Sequence, residues 1–92
     1  MNERDHLRRW VKKFKLAHPS ALVVRIADSP VCRKPFDIFI LMDAVFTAIE
    51  FKVGGAGLLP HQRRELLTVK ANGGIAKVIR FMEKGETVEE VL

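Results

Sequence analysis

The sequence predicts an α/β fold: a mixed β-sheet flanked by helices, with elements in the order α-β-β-β-α-β. Three observations carry this reading. Apolar residues recur at helical spacing through residues 2–17. Two β-prone runs, residues 36–41 and 45–53, are separated only by Met42-Asp43-Ala44 and so form a hairpin. A further β-prone run, residues 75–81, follows after a helix-length segment, the pattern of a right-handed crossover between parallel strands. Antiparallel pairing in the hairpin and parallel pairing across the crossover make the sheet mixed. Its helices should cover both faces.

In the first helix, Leu7, Trp10, Val11 and Phe14 make an apolar stripe, while Arg8, Arg9, Lys12, Lys13 and Lys15 occupy the other faces. His18-Pro19-Ser20 ends it. Residues 21–27, with Val23, Val24 and Ile26, form the first strand. Residues 28–35 contain two prolines and read as a loop, after which the hairpin begins. Gly54-Gly55-Ala56-Gly57 is a flexible connection. Pro60 suits the first turn of the second helix. That helix ends near Asn72, where Gly73 and Gly74 supply a left-handed stop. Residues 87–92 are expected to form a short, loosely held helix. No repeat, low-complexity segment or linker interrupts the chain, so residues 1–92 are expected to be a single domain.

The chain has 92 residues, 48% of them hydrophobic, and a mean hydropathy of +0.04. No apolar run approaches the ~18–20 residues of a membrane span, and the first residues lack the apolar stretch of a signal peptide. The single cysteine, Cys32, excludes an intramolecular disulfide and a zinc site of several thiolates. Its lack of a neighbouring His marks it as structural rather than nucleophilic. A reducing, cytoplasmic setting is expected, with no membrane partner. The net charge of +5 is lopsided: residues 1–34 carry nine basic and three acidic residues, the remainder seven and eight. A basic half of this kind points to a polyanionic partner, with nucleic acid ahead of membrane.

The hairpin carries the chemistry. If it turns about Asp43-Ala44, paired residue numbers sum to 87 and Asp37 faces Glu50. Glu50 and Lys52 share a face because they are two apart on one strand. Directly paired residues have Cβ atoms about 4.5–5.5 Å apart, so two acids there repel unless a cation lies between them. Mg²⁺ takes such oxygen ligands, and an ammonium beside it completes the equipment for hydrolysing a phosphodiester. The plainer reading is a solvated charged face, but Glu50 lies in the apolar run Val45-Phe-Thr-Ala-Ile-Glu-Phe-Lys-Val, where an unpaired buried carboxylate is costly.

With Asp37 opening one strand and Glu50-Phe51-Lys52 in the next, the chain resembles the PD-(D/E)xK, or restriction-endonuclease-like, nuclease superfamily. Several subfamilies add a Gln in the following helix, matched by Gln62, and many an acid early in the first helix, matched by Glu3. The helix end and strand Asn72-Gly-Gly-Ile-Ala-Lys-Val-Ile-Arg-Phe81 also fit. The likeness spans about residues 3–82 and is greatest to virus-type replication-repair nuclease (VRR-NUC) domains and related Holliday-junction resolvases. One departure is Pro35, which stands two residues before Asp37 rather than adjacent to it.

The resemblance implies a Mg²⁺- or Mn²⁺-dependent DNA endonuclease, structure-specific and acting on branched or junction DNA, with phage origin among the candidates. Asp37, Glu50 and the backbone carbonyl of Phe51 would bind the metal, with Glu3 as a further candidate that otherwise serves the helix dipole. Lys52 would act on the attacking water or the phosphate, or else merely pair with Glu50. Gln62, on the inward face of its helix with Leu66, would support the site or cap a neighbouring backbone group. Arg25, Arg33 and Lys34 are candidate phosphate contacts, as are Arg63 and Arg64. His61 reads as surface, and Trp10 as core rather than a base-stacking platform. One site per small domain suggests a homodimer, with the stripe of the first helix and Val88, Val91 and Leu92 as apolar surface for it. The alternatives are a catalytically inactive nucleic-acid-binding module on the same fold and an unrelated small interaction domain.

Overall fold

A computed structural model describes residues 2–92. Helix α1 (Glu3–Ala17) opens on Asn2, whose side chain accepts the Asp5 N–H at 2.9 Å. Glu3 and Asp5 lie in its positive first turn and Lys15 in its last, as the helix dipole favours. Then come β1 (Leu22–Arg25), β2 (Ile38–Met42), β3 (Val45–Val53), α2 (Pro60–Ala71), β4 (Ile75–Phe81) and β5 (Thr87–Val91). The sheet order is β1-β2-β3-β4-β5, with β3 and β4 parallel and the other neighbours antiparallel. This is the mixed α/β sheet expected from the sequence.

The hairpin register is the one its turn dictates, from Met42 opposite Val45 to Ile38 opposite Ile49. Asp43 and Ala44 both take positive φ, 53° and 62°, the conformation a two-residue hairpin turn requires. Alternation along β3 then divides the core. Ile49 and Phe51 face α1 and join Leu7, Val11, Ile38, Ile40, Ile79 and Phe81. Ala48 faces α2 and joins Phe36, Leu66, Ala76 and Val78. At the end of α2, Gly73 takes φ 90°. A Cβ on Gly74 would lie 2.7 Å from Val69 Cγ1, so that position admits glycine because the helix and β3 approach there.

The structure corrects three expectations. Residues 87–92 do not form a helix: Thr87–Val91 is an edge strand paired with β4. Gly85, at φ 85°, turns the chain, and Glu89 and Glu90 pair with Lys77 and Arg80 of β4 at 3.5 and 3.0 Å. In so short a segment the available partner strand outweighs weak helical spacing. The stripe of α1 is not left for a partner: Leu7 and Val11 are buried, and Trp10 and Phe14 pack half-buried against the same cluster. Cys32, expected to be structural, is exposed on the loop.

Candidate active site

Three polar or charged side chains are buried among the described residues, and all belong to one cluster: Asp37, Glu50 and Gln62. The cluster forms where β3 outruns β2. Asp37 stands just before β2, its N–H donating to the Ile49 carbonyl at 3.1 Å and its carboxylate within 4.8 Å of that of Glu50. Alternation turns Glu50 and Lys52 to the α2 face. Ile49 and Phe51, of like parity, turn their backbone groups toward β2. The Phe51 N–H donates to Asp37 Oδ2 at 2.7 Å, so its carbonyl also faces the side where Asp37 stands.

Gln62 occupies the first turn of α2, one turn before the fully buried Leu66. Its Oε1 accepts both the Leu59 N–H and the Lys52 ammonium, each at 3.0 Å. One atom of Gln62 therefore caps the helix start and bonds Lys52 at the same time. Lys52 also lies 3.4 Å from Glu50 Oε2. Glu3, at the start of α1, reaches the cluster from the opposite layer: carboxylate oxygens of Glu3, Asp37 and Glu50 all lie within 4.8 Å of one another.

The electrostatics are those of crowded acids. Burial, then the Asp37 charge, push the Glu50 carboxyl up to about 7, with Lys52 offsetting part of the effect. Glu3 is raised as well, by burial and then by Asp37, against Lys52 and Lys34. Glu50 Oε1 is buried with no hydrogen-bond partner among the described residues. An orphaned carboxylate oxygen beside two other acids is costly as it stands and suits a hard divalent cation. The donor set therefore fits Mg²⁺ or Mn²⁺.

The predicted phosphate contacts are less uniform. Lys34 does not point to solvent: its ammonium lies 2.6 Å from Asp37 Oδ1. Burial works against that charge, but the hydrogen bond and attraction of Asp37, helped by Glu50 and Asp28, raise its pKa. Arg33 and Arg64 line a surface groove with His61 between the loop and the start of α2. Arg63 is exposed and lines a separate groove along α2 with Pro60 and Leu67, and Arg64 makes a 3.5 Å surface pair with Glu65. Arg25 is exposed opposite Ile38, on the α1 face of the sheet.

Arg80 was missed. It pairs with Lys52 across the parallel ladder, and its Nη1 donates to the carbonyls of Gly54 and Ala56 at 2.7 and 2.5 Å. The glycine connection beside the site is thus pinned rather than simply flexible. An arginine on the strand next to Lys52 was the available signal.

No family model matches the sequence, and no curated protein matches it. Among solved structures, the fold is similar to that of Hjc, a Holliday junction resolvase from the archaeal hyperthermophile Archaeoglobus fulgidus. The TM-score is 0.63 over 91% of this chain and 75% of that one, at 19% sequence identity. What the two chains share is the fold: the mixed sheet with a helical layer on each face is the architecture that the sequence predicted, while its fifth strand, Thr87–Val91, is not.

Proposed function

We propose that this chain is a divalent-metal-dependent DNA endonuclease of the PD-(D/E)xK type, specific for branched or junction DNA and nearest the VRR-NUC domains and related resolvases. The observation that carries the reading is the buried, unpartnered Glu50 Oε1 beside Asp37 and Glu3. The similarity to a Holliday junction resolvase supports the substrate class.

Asp37, Glu50 and the Phe51 carbonyl would hold the ion, with Glu3 completing the acidic side. A divalent ion there would supply Lewis acidity, drawing electron density from a phosphoryl oxygen and making a nearby water a better nucleophile. The chain's own groups do the rest. The Phe51 N–H fixes the Asp37 carboxylate by holding Oδ2. Gln62 steadies the Lys52 ammonium, which can donate to the attacked phosphate as its charge grows. Arg33, Arg63 and Arg64 offer sequence-independent phosphate contacts on one side of the cluster.

The test is a panel of four-way junction, flap, linear duplex and single-stranded DNA with Mg²⁺, Mn²⁺ or EDTA. Cleavage of branched DNA that requires the metal is the expected result. Binding without cleavage of any substrate in either metal would favour the inactive module.

A homodimer is part of the same proposal, because one site cuts one strand. The surface for it keeps Val91 of the one first expected but not the stripe of the first helix. Val45, Ile75 and Val91 are 41%, 38% and 67% exposed, and all lie on the α1 face at the end of the sheet away from Glu50. Light scattering at micromolar concentration should give twice the 10.5 kDa chain mass. A single-chain mass persisting at high concentration would retire the dimer.

A further inference from the structure

We propose that Lys34 is a built-in stand-in for the metal on Asp37, transferred to a DNA phosphate when substrate docks, so that metal loading and DNA binding are coupled. The proposal rests on the reading that Asp37 and Glu50 hold a divalent ion.

Both oxygens of Asp37 already have a donor: Oδ2 takes the Phe51 N–H at 2.7 Å, and Oδ1 takes the Lys34 ammonium at 2.6 Å. The backbone bond belongs to the end of a strand and can persist in every state. A dication on the same carboxylate would lie within a few ångströms of the ammonium and repel it, which weakens the hold of Asp37 on Lys34. An ion that uses Asp37 therefore competes with Lys34 for it.

Lys34 is built to move. Lys52, on a strand, is 12% exposed and held by Gln62 and Glu50. Lys34, on a loop, is 29% exposed, and its ion-pair partner among the described residues is Asp37. Its backbone is nevertheless anchored: its N–H donates to Asp28 Oδ1 at 2.6 Å, and Ser29 and Cys32 close a turn just before it. A fixed Cα with a four-carbon stem lets the charge swing several ångströms without moving the loop.

Charge supplies the destination. With the acids ionised, Lys34 and Lys52 offset most of the charge of Glu3, Asp37 and Glu50. A dication makes the Lys34 charge surplus there, and its neighbour Arg33 already lines the basic groove with Arg64. A phosphate at that edge is the natural acceptor. By linkage, DNA then tightens metal binding and the metal tightens DNA binding by the same factor.

The experiment measures Mn²⁺ affinity calorimetrically for the full chain, alone and with saturating non-cleavable phosphorothioate branched DNA. It compares the wild type with Lys34→Met, Lys34→Gln and Asp37→Asn. In the wild type, DNA should tighten Mn²⁺ binding about tenfold. Both Lys34 variants should bind Mn²⁺ about tenfold more tightly than the wild type without DNA, and DNA should add little more. Unchanged or weaker Mn²⁺ affinity in both folded variants, with the DNA effect intact, would overturn the proposal, since a merely structural lysine predicts that outcome. If Asp37→Asn leaves Mn²⁺ affinity at the wild-type value, the metal-site reading itself fails.

Discussion

Asp37→Asn and Glu50→Gln should each lower metal-dependent DNA cleavage by roughly two to three orders of magnitude or more without unfolding the chain. Each substitution nearly preserves shape and removes one negative charge from a cluster whose oxygens lie within 4.8 Å of one another. An amide oxygen at position 37 can still accept the Phe51 N–H that Asp37 accepts now, so the strand end survives. The freed Lys34 can re-solvate because it is only partly buried. Single-turnover cleavage of branched DNA, with circular dichroism to check folding, measures the effect. Near wild-type rates in both folded variants would remove these carboxylates from the mechanism.

Without metal, the protein should lose stability as the pH rises from about 4.5 to about 7, and lose no more from this source above that. Glu50 accounts for the sign. Its carboxyl titrates near 4.5 when unperturbed and is pushed up to about 7 in the fold, by burial first and by Asp37 second. Between those values the folded chain keeps a proton that the unfolded chain has released, so stability falls with rising pH. A shift of that size corresponds to about 3 kcal/mol, a large part of the stability of a small domain. Glu3 acts in the same direction, with a smaller effect because it is largely solvated. Lys34 titrates from a reference near 10.5 and is raised further, outside this window. Urea denaturation in EDTA at pH 5 and pH 8 should show the loss. Glu50→Gln should be the more stable protein at pH 8, and Mg²⁺ should restore the wild type by binding only the folded state. Wild-type stability that rises between the two pH values would contradict this account.

Much of the fold was legible because its central elements are regular. Alternation in β3 and a two-residue turn at Asp43-Ala44 determine the register up to Ile38 opposite Ile49, and the carboxylate of Asp37, the next residue, comes within 4.8 Å of that of Glu50. Helical spacing between Gln62 and Leu66 likewise fixes which face Gln62 presents. What stayed hidden depends on partners far away in sequence. Thr87–Val91 is a strand because β4 offers an edge, which no local pattern declares. The position of Lys34 depends on a loop closed by Asp28. Its proximity in sequence to Asp37 was visible, but not the direction of its side chain. Arg80 reads as one more strand cation until the glycine connection folds back onto it. The pairing of Asp37 with Glu50 in one cluster was thus readable from the hairpin, while the contacts of Lys34 and Arg80 were not.

The central claim is that Asp37, Glu50 and the Phe51 carbonyl hold a divalent ion. Anomalous scattering from crystals soaked in millimolar Mn²⁺ tests it most directly. The account predicts an anomalous peak bonded to oxygens of Asp37 and Glu50 and to the Phe51 carbonyl, with the Lys34 ammonium displaced from Asp37. Anomalous peaks confined to other parts of the surface, with Lys34 still paired to Asp37, would contradict it.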